Sequence, residues 1–246
     1  MGNVLISGAN EGIGYSLALQ LLKDGHCVHV LDINIDNIIK LKNEYPESIN
    51  GYKCDVSKYD EVAKIVTKIR LPIDIAIHNA CKCTFSRFMD TSTETYKEVF
   101  DVNYYGAINI SKAVIPTIKE QRPCKIMFVS SGVAVMGFSN LSPYASSKSA
   151  IETLAKCLNL EYKDSGITFQ IIHPPLTKTR SSSPLPIPKE FMQTPQEVGQ
   201  GIAKRLHKKS FIICHSFAQS LQTKLIYLFS IKFGRLFSRL TDNYAK

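Results

Sequence analysis

The stretch SPYASSKSA (142–150) sets a phenol and an ammonium four residues apart, at the start of a helical run read over 143–163. Side chains at i and i+4 of a helix lie on one face, so Tyr144 and Lys148 project together. A phenol with a pKa of about 10 is a poor base at neutral pH, but an adjacent cation favours its phenolate. That pair could move a proton to or from an oxygen. The same spacing also describes an ordinary surface pair, so its meaning depends on what surrounds it.

A second set lies at the start of the chain. SGANEGIG (7–14) follows the apolar run 3–6 and omits side chains at Gly8, Gly12 and Gly14. A glycine-rich turn between a strand and a helix lets a pyrophosphate approach the backbone, where the helix N-terminus offers free N–H groups and a positive dipole end. Asp32 closes the next strand, at the distance where a carboxylate accepts both ribose hydroxyls of an adenosine and repels a 2′-phosphate. Glu11 adds negative charge, and no Lys or Arg directly follows Gly14 or Asp32. The expected cofactor is NAD(H) in preference to NADP(H). Three glycines at a tight turn are also compatible with turn chemistry alone.

These residues need a scaffold. Apolar, β-branched runs recur at 4–7, 26–31, 51–54, 73–78, 125–130, 168–173 and 211–214, with helical stretches such as 15–24 and 60–69 between most of them. Strands this apolar are covered on both faces, and the alternation predicts a doubly wound α/β fold with a parallel seven-stranded sheet. Ligands then sit beyond the carboxyl ends of the strands. Residues 1–215 form the predicted catalytic domain. The segment 179–191 carries three prolines and is read as a loop over the site.

At 246 residues the chain suits one such domain. Seven cysteines, an odd number scattered through apolar segments, are read as reduced. With a first strand at residue 3 and no run of 18 apolar residues, a cytoplasmic protein without a signal peptide is expected. No metal site is expected, because Cys81-x-Cys83 has no second pair and no histidines are spaced as ligands. His26, His29 and His78 are read as core or strand-end residues, whereas His173, beside Pro174, is a candidate for touching substrate.

The combination resembles the short-chain dehydrogenases/reductases, a family of NAD(P)-binding oxidoreductases, over residues 3 to about 215. The family's T-G-x-x-x-G-x-G appears as Ser7, Gly8, Ala9, Asn10, Glu11, Gly12, Ile13 and Gly14. Asp55, followed by Val56, matches its adenine-contacting acidic residue. Its N-N-A-G stands as His78, Asn79, Ala80 and Cys81, and its P-G-x-x-x-T runs from Pro174 to Thr179. The resemblance implies that Asn103, Ser131, Tyr144 and Lys148 are catalytic. Tyr144 would exchange a proton with the substrate oxygen, Ser131 would hydrogen-bond that oxygen, and Lys148 would hold the nicotinamide ribose and depress the Tyr144 pKa. Asn103 would anchor a water in a proton relay, and Thr179 would orient the carboxamide. A homodimer, paired through the helices holding Asn103 and Tyr144, is implied as well. Two departures stand out, Cys81 for the last glycine of N-N-A-G and Pro175 for the glycine of P-G. The proline pair is loosely similar to the family's ketosphinganine reductases.

The net charge of +9 is concentrated at one end: residues 178–246 hold 12 basic and 3 acidic side chains, whereas residues 1–177 are balanced. Read as one continuous helix, residues 225–240 of the 216–246 tail gather Leu225, Ile226, Phe229, Phe233, Leu236, Phe237 and Leu240 opposite Lys232, Arg235 and Arg239. Such a face suits an anionic membrane surface, making the protein peripheral, or it packs on protein. A nucleic-acid partner is not expected, since no recognition motif accompanies the charge. The function expected is hydride transfer between nicotinamide and a small-molecule, lipophilic secondary alcohol or ketone. A non-catalytic dinucleotide sensor and a membrane-surface scaffold acting through the tail are the alternatives.

Overall fold

The computed structural model describes residues 2–118 and 122–242. Seven parallel strands, β1 (Asn3–Ser7), β2 (Cys27–Asp32), β3 (Ile49–Lys53), β4 (Ile75–His78), β5 (Cys124–Val129), β6 (Ile167–His173) and β7 (Ile212–Cys214), form one sheet in the order β3-β2-β1-β4-β5-β6-β7. Each overlaps a predicted apolar run, with boundaries that agree to within two residues.

Alternation along the strands divides the core in two. Leu5, Ala76, Ile126, Phe128 and Phe169 face one side, where they meet Val62 and Val66 of α3 (Tyr59–Lys68), Ile110 of α5 (Gly106–Val114) and Ile151 of α7 (Ser142–Glu161). Val4, Ile6, Val28, Met127 and Ile172 face the other, against Leu17 of α1 (Gly12–Lys23), Ile38 of α2 (Asp36–Glu44) and Val198 of α8 (Pro195–Ala203). Strands with apolar side chains on both faces are what a two-sided helical cover requires. The remaining helices are α4 (Thr93–Phe100), which leads through a five-residue π-helix, Asp101–Tyr105, into α5; the short α6 (Val133–Met136); and α9 (Phe217–Leu228) with α10 (Ser230–Asp242).

The strand order reverses between β1 and β4, where Ser7 lies in register with His78. The carboxyl ends of neighbouring strands diverge there, opening the crevice typical of doubly wound sheets. Segment 179–191 is irregular apart from one 3₁₀ turn, Lys189–Phe191. All seven cysteines are free thiols.

Candidate active site

The glycine turn lies at this crevice. Gly8 and Gly12 have φ of 66° and 64°, a region that side chains other than glycine's adopt at a penalty. A Cβ on Gly8 would come 2.5 Å from the Ala80 Cα, and one on Gly14 would strike the Gly8 carbonyl. These two glycines therefore make room for the protein itself, drawing the β4 end against the turn. Gly12 instead faces Thr179. The N-cap residue of α1, Glu11, makes no side-chain capping bond, so the first-turn N–H groups keep the donor capacity that suits an anionic phosphate.

Asp32, at the end of β2, accepts from the backbone N–H of Asn10 (2.9 Å) and of Asn34 (3.1 Å). Asn10 is fastened in turn by Asn37, whose N–H donates to its side-chain oxygen at 2.9 Å. Asn79 donates to the Gly8 carbonyl at 2.5 Å. Asp55 Oδ1 accepts from the Ser57 N–H and hydroxyl, while the buried Val56 offers its carbonyl to Asn109 of α5. Opposite the turn, a cleft of about 410 Å³ separates Glu11 and Gly12 from Thr179, Ser182 and Leu185 of the loop.

Tyr144 and Lys148 occupy the first two turns of α7, where Pro143 presets the helical φ. Ser131, which follows β5, adjoins the Tyr144 phenol closely enough to lower its pKa. Lys148 Nζ donates to the Val129 carbonyl at 2.7 Å and stands 5.6 Å from the centre of the Tyr144 ring. Three of the four predicted catalytic side chains thus meet at the carboxyl end of β5. Asn103 lies behind them in the π-helix, an irregularity often found at functional sites. Its amide donates to Ser147 Oγ (2.9 Å) and to the Lys82 carbonyl (3.0 Å), and its Oδ1 accepts from the Lys82 N–H (2.7 Å). This side chain is committed to holding the segment after β4, with both amide hydrogens already donated.

The electrostatics differ from the expectation that Lys148 makes the phenol acidic. Burial pushes the Tyr144 phenol well above its ordinary value, Cys81 and Cys83 add to the rise, and the neighbouring Ser131 opposes it. Burial likewise lowers the Lys148 ammonium. Withdrawal from water dominates both shifts, and Lys148 directs its hydrogen bond at a carbonyl.

Residues 2–188 match the family model described as short chain dehydrogenase. The chain belongs to the short-chain dehydrogenase family. It is 30% identical over 188 residues to a 3-ketodihydrosphingosine reductase of Bos taurus, covering 72% of this chain and 57% of that protein. To the oxidoreductase UcpA of Salmonella typhimurium it is 34% identical over 184 residues, covering 71% of this chain and 69% of the other. Against the ketodihydrosphingosine reductases, the chain spans little more than half of the relative's length. A short-chain dehydrogenase from Streptomyces avermitilis superposes with a TM-score of 0.81 at 16% identity, covering 100% of this chain and 99% of that one.

In this member of the family the two departures have visible neighbours. Cys81 Sγ lies 3.6 Å from Ser181 Oγ of the loop. Pro175 offers its carbonyl to the Thr177 hydroxyl at 2.7 Å, and Thr179 Oγ1 accepts from the Ser182 N–H at 3.3 Å. Pro174 directly follows His173, which does not line the cleft: it is buried and bonded to Glu152 at 2.8 Å.

His78 proves more connected than a strand-end histidine. Ser7 Oγ accepts from the Asn79 and Ala80 N–H groups (3.1 and 3.2 Å), so its own hydrogen goes to His78 Nδ1 at 2.9 Å. Nε2–H then donates to the Asn103 carbonyl at 3.0 Å. Burial first, and Lys148 second, push His78 down to about 3, which keeps it neutral, while the Ser7 and Asn103 bonds select this tautomer. The bond joins the glycine turn to the π-helix. No spacing in the sequence signals it, since the partners lie 71 and 25 residues away.

The tail is two helices rather than one. At Phe229 the backbone leaves helical geometry (φ −126°, ψ 39°). Ile226 and Gly234 are buried, the latter against the Met136 carbonyl at the end of α6, while Leu221, Leu225, Leu228, Phe229, Ile231 and Leu236 stay exposed. The break turns Leu228 and Ile231, which do not fit a single wheel, outward. The side chain of Leu240 lies outside the described residues. Among the described residues, no helix is long and apolar enough to cross a membrane, and no group of three or more His, Cys, Asp or Glu side chains is placed to hold a metal.

Proposed function

We propose that this chain is an NAD(H)-dependent oxidoreductase that moves a hydride between nicotinamide and a lipophilic secondary alcohol or its ketone. The observation that carries this reading is the placement of Ser131 beside the Tyr144 phenol, with the buried Lys148 ammonium behind the phenol ring. Two hydroxyls converging from β5 and α7 can address one substrate oxygen, a requirement for moving a proton as hydride reaches or leaves the adjacent carbon. When bound, the nicotinamide ring supplies or accepts that hydride.

Because burial keeps the phenol protonated, Tyr144 is set up as the proton donor of ketone reduction. Ser131 holds the ketone oxygen against it. Lys148 stabilises the phenolate left behind, a charge that is costly to bury without a cation nearby. Asp32 supports NAD(H), since a 2′-phosphate would meet a carboxylate at the end of β2. The likeness to ketodihydrosphingosine reductases supports a long-chain ketone, as do the apolar Leu185 and Ile187 in the cleft lining. The outward apolar side chains of α9 and α10, flanked by Lys224, Lys232, Arg235 and Arg239, fit an anionic bilayer from which such a substrate would enter.

A fluorescence titration with NADH and NADPH, followed by turnover assays on ketones presented with phosphatidylserine vesicles, tests the reading. NADH is expected to bind at least about tenfold more tightly, with long-chain ketones reduced and vesicles co-sedimenting the protein. Turnover of small polar carbonyls alone would remove the lipophilic assignment. Absence of turnover on every alcohol and ketone, with NADH bound, would favour a nucleotide sensor instead.

A further inference from the structure

Glu152 is a buried carboxylate that hydride transfer does not call for. It lies on α7 one turn beyond Lys148 and two beyond Tyr144. Its Oε1 accepts from Ser130 Oγ at 2.6 Å and from His173 Nε2 at 2.8 Å, and its Oε2 accepts from the Tyr227 hydroxyl at 2.5 Å. Tyr227 belongs to α9, and its hydroxyl also stands 3.3 Å from His173 Nε2. From the same helix, Gln219 donates to the His173 carbonyl at 2.7 Å.

Two of the donors adjoin the site, since Ser130 precedes Ser131 and His173 precedes Pro174, and Glu152 itself shares α7 with Lys148. We infer that Glu152, His173 and Tyr227 are positioning residues, a junction through which the C-terminal helix α9 holds Ser131, Lys148 and the chain after β6 in their working arrangement. A carboxylate accepting three hydrogen bonds in a buried setting has few alternative geometries, so the three segments it joins move together or not at all. Burial alone would raise the Glu152 carboxyl, but the bonds from His173, Ser130 and Tyr227 outweigh it and hold it below its ordinary value. The acceptor therefore stays ionised, as three donors require. By this reading α9 is part of the catalytic unit, and residues 216–242 are not simply an appendage to a finished domain.

The inference rests on the enzymatic reading, and the test separates the two. Tyr227→Phe removes one hydroxyl from a ring that still packs beside His173. Steady-state kinetics on a ketone reduced by the wild type should show kcat lower by about tenfold, with KM for the ketone within about twofold. Hydrogen exchange of the ligand-free variant should show faster uptake over 130–136 and 173–179 and unchanged uptake over 7–14. Glu152→Gln, which keeps the shape but loses the charge, should exceed both effects. Gln222→Ala, on the exposed side of α9, should leave both at wild-type values. Retention of kcat within twofold in Tyr227→Phe, or exchange equal to the wild type at the two named segments, overturns the junction. A wild type inert towards every ketone and alcohol refutes the enzymatic reading, and the junction with it; the two failures differ, since only the second appears before any variant is made.

Discussion

Tyr144→Phe is expected to lower ketone reduction by roughly two to four orders of magnitude, with the NADH dissociation constant within about twofold of the wild type. The phenol and Ser131 are neighbours, and removing the oxygen takes away the proton donor while the ring keeps its place over Lys148. The raised phenol also sets the pH dependence. A group whose pKa lies above its ordinary value of about 10 is protonated throughout the neutral range, so wild-type reduction should be flat from about pH 6 to 9. Alcohol oxidation, which needs the phenolate, should climb with pH across that interval and beyond it. Both the rate and this slope should disappear in Tyr144→Phe. A variant with more than a tenth of wild-type turnover would show that some other group moves the proton.

Lys148→Met should separate activity from stability. Lys148 is 1% exposed, its ammonium donates to the Val129 carbonyl, and burial disfavours its charge. A methionine fills nearly the same volume without the desolvation penalty, although it leaves that carbonyl short of one donor, worth about 1 kcal/mol. The variant should therefore melt at or above the wild-type temperature. Its turnover should nevertheless fall by roughly two orders of magnitude or more, because the phenolate formed on proton donation loses the cation beside it. Thermal denaturation and kcat/KM on the same preparation check this. A melting point lower by more than about 5 °C would mean that the lysine stabilises the fold and that the loss of activity is secondary.

Most of the strands were legible because they are short apolar runs with side chains buried on both faces, β3 at the sheet edge excepted, and the Tyr144–Lys148 pair because four residues make about one helical turn. Boundaries shifted by at most two residues, as hydrogen bonding rather than hydropathy ends a strand. The purpose of the glycines was only half legible. Their spacing marks a tight phosphate-type turn, but that Gly8 must clear Ala80 depends on a strand 70 residues away. A helical wheel over 225–240 assumes one unbroken helix, and the break at Phe229 redistributes the face it predicts.

Local pattern by itself determined the sheet, the turn and the chemical types brought to the site, since periodicity and spacing act over a few residues. Packing between distant segments decided the rest: the sign of the Tyr144 shift, the commitment of the Asn103 side chain, the His78 tautomer and the meeting of Glu152 with Tyr227, 75 residues further on. The physical reason is that desolvation and hydrogen-bond pairing depend on what surrounds a group in space. For a buried polar side chain, those surroundings come from strands and helices that sequence separation leaves unrelated.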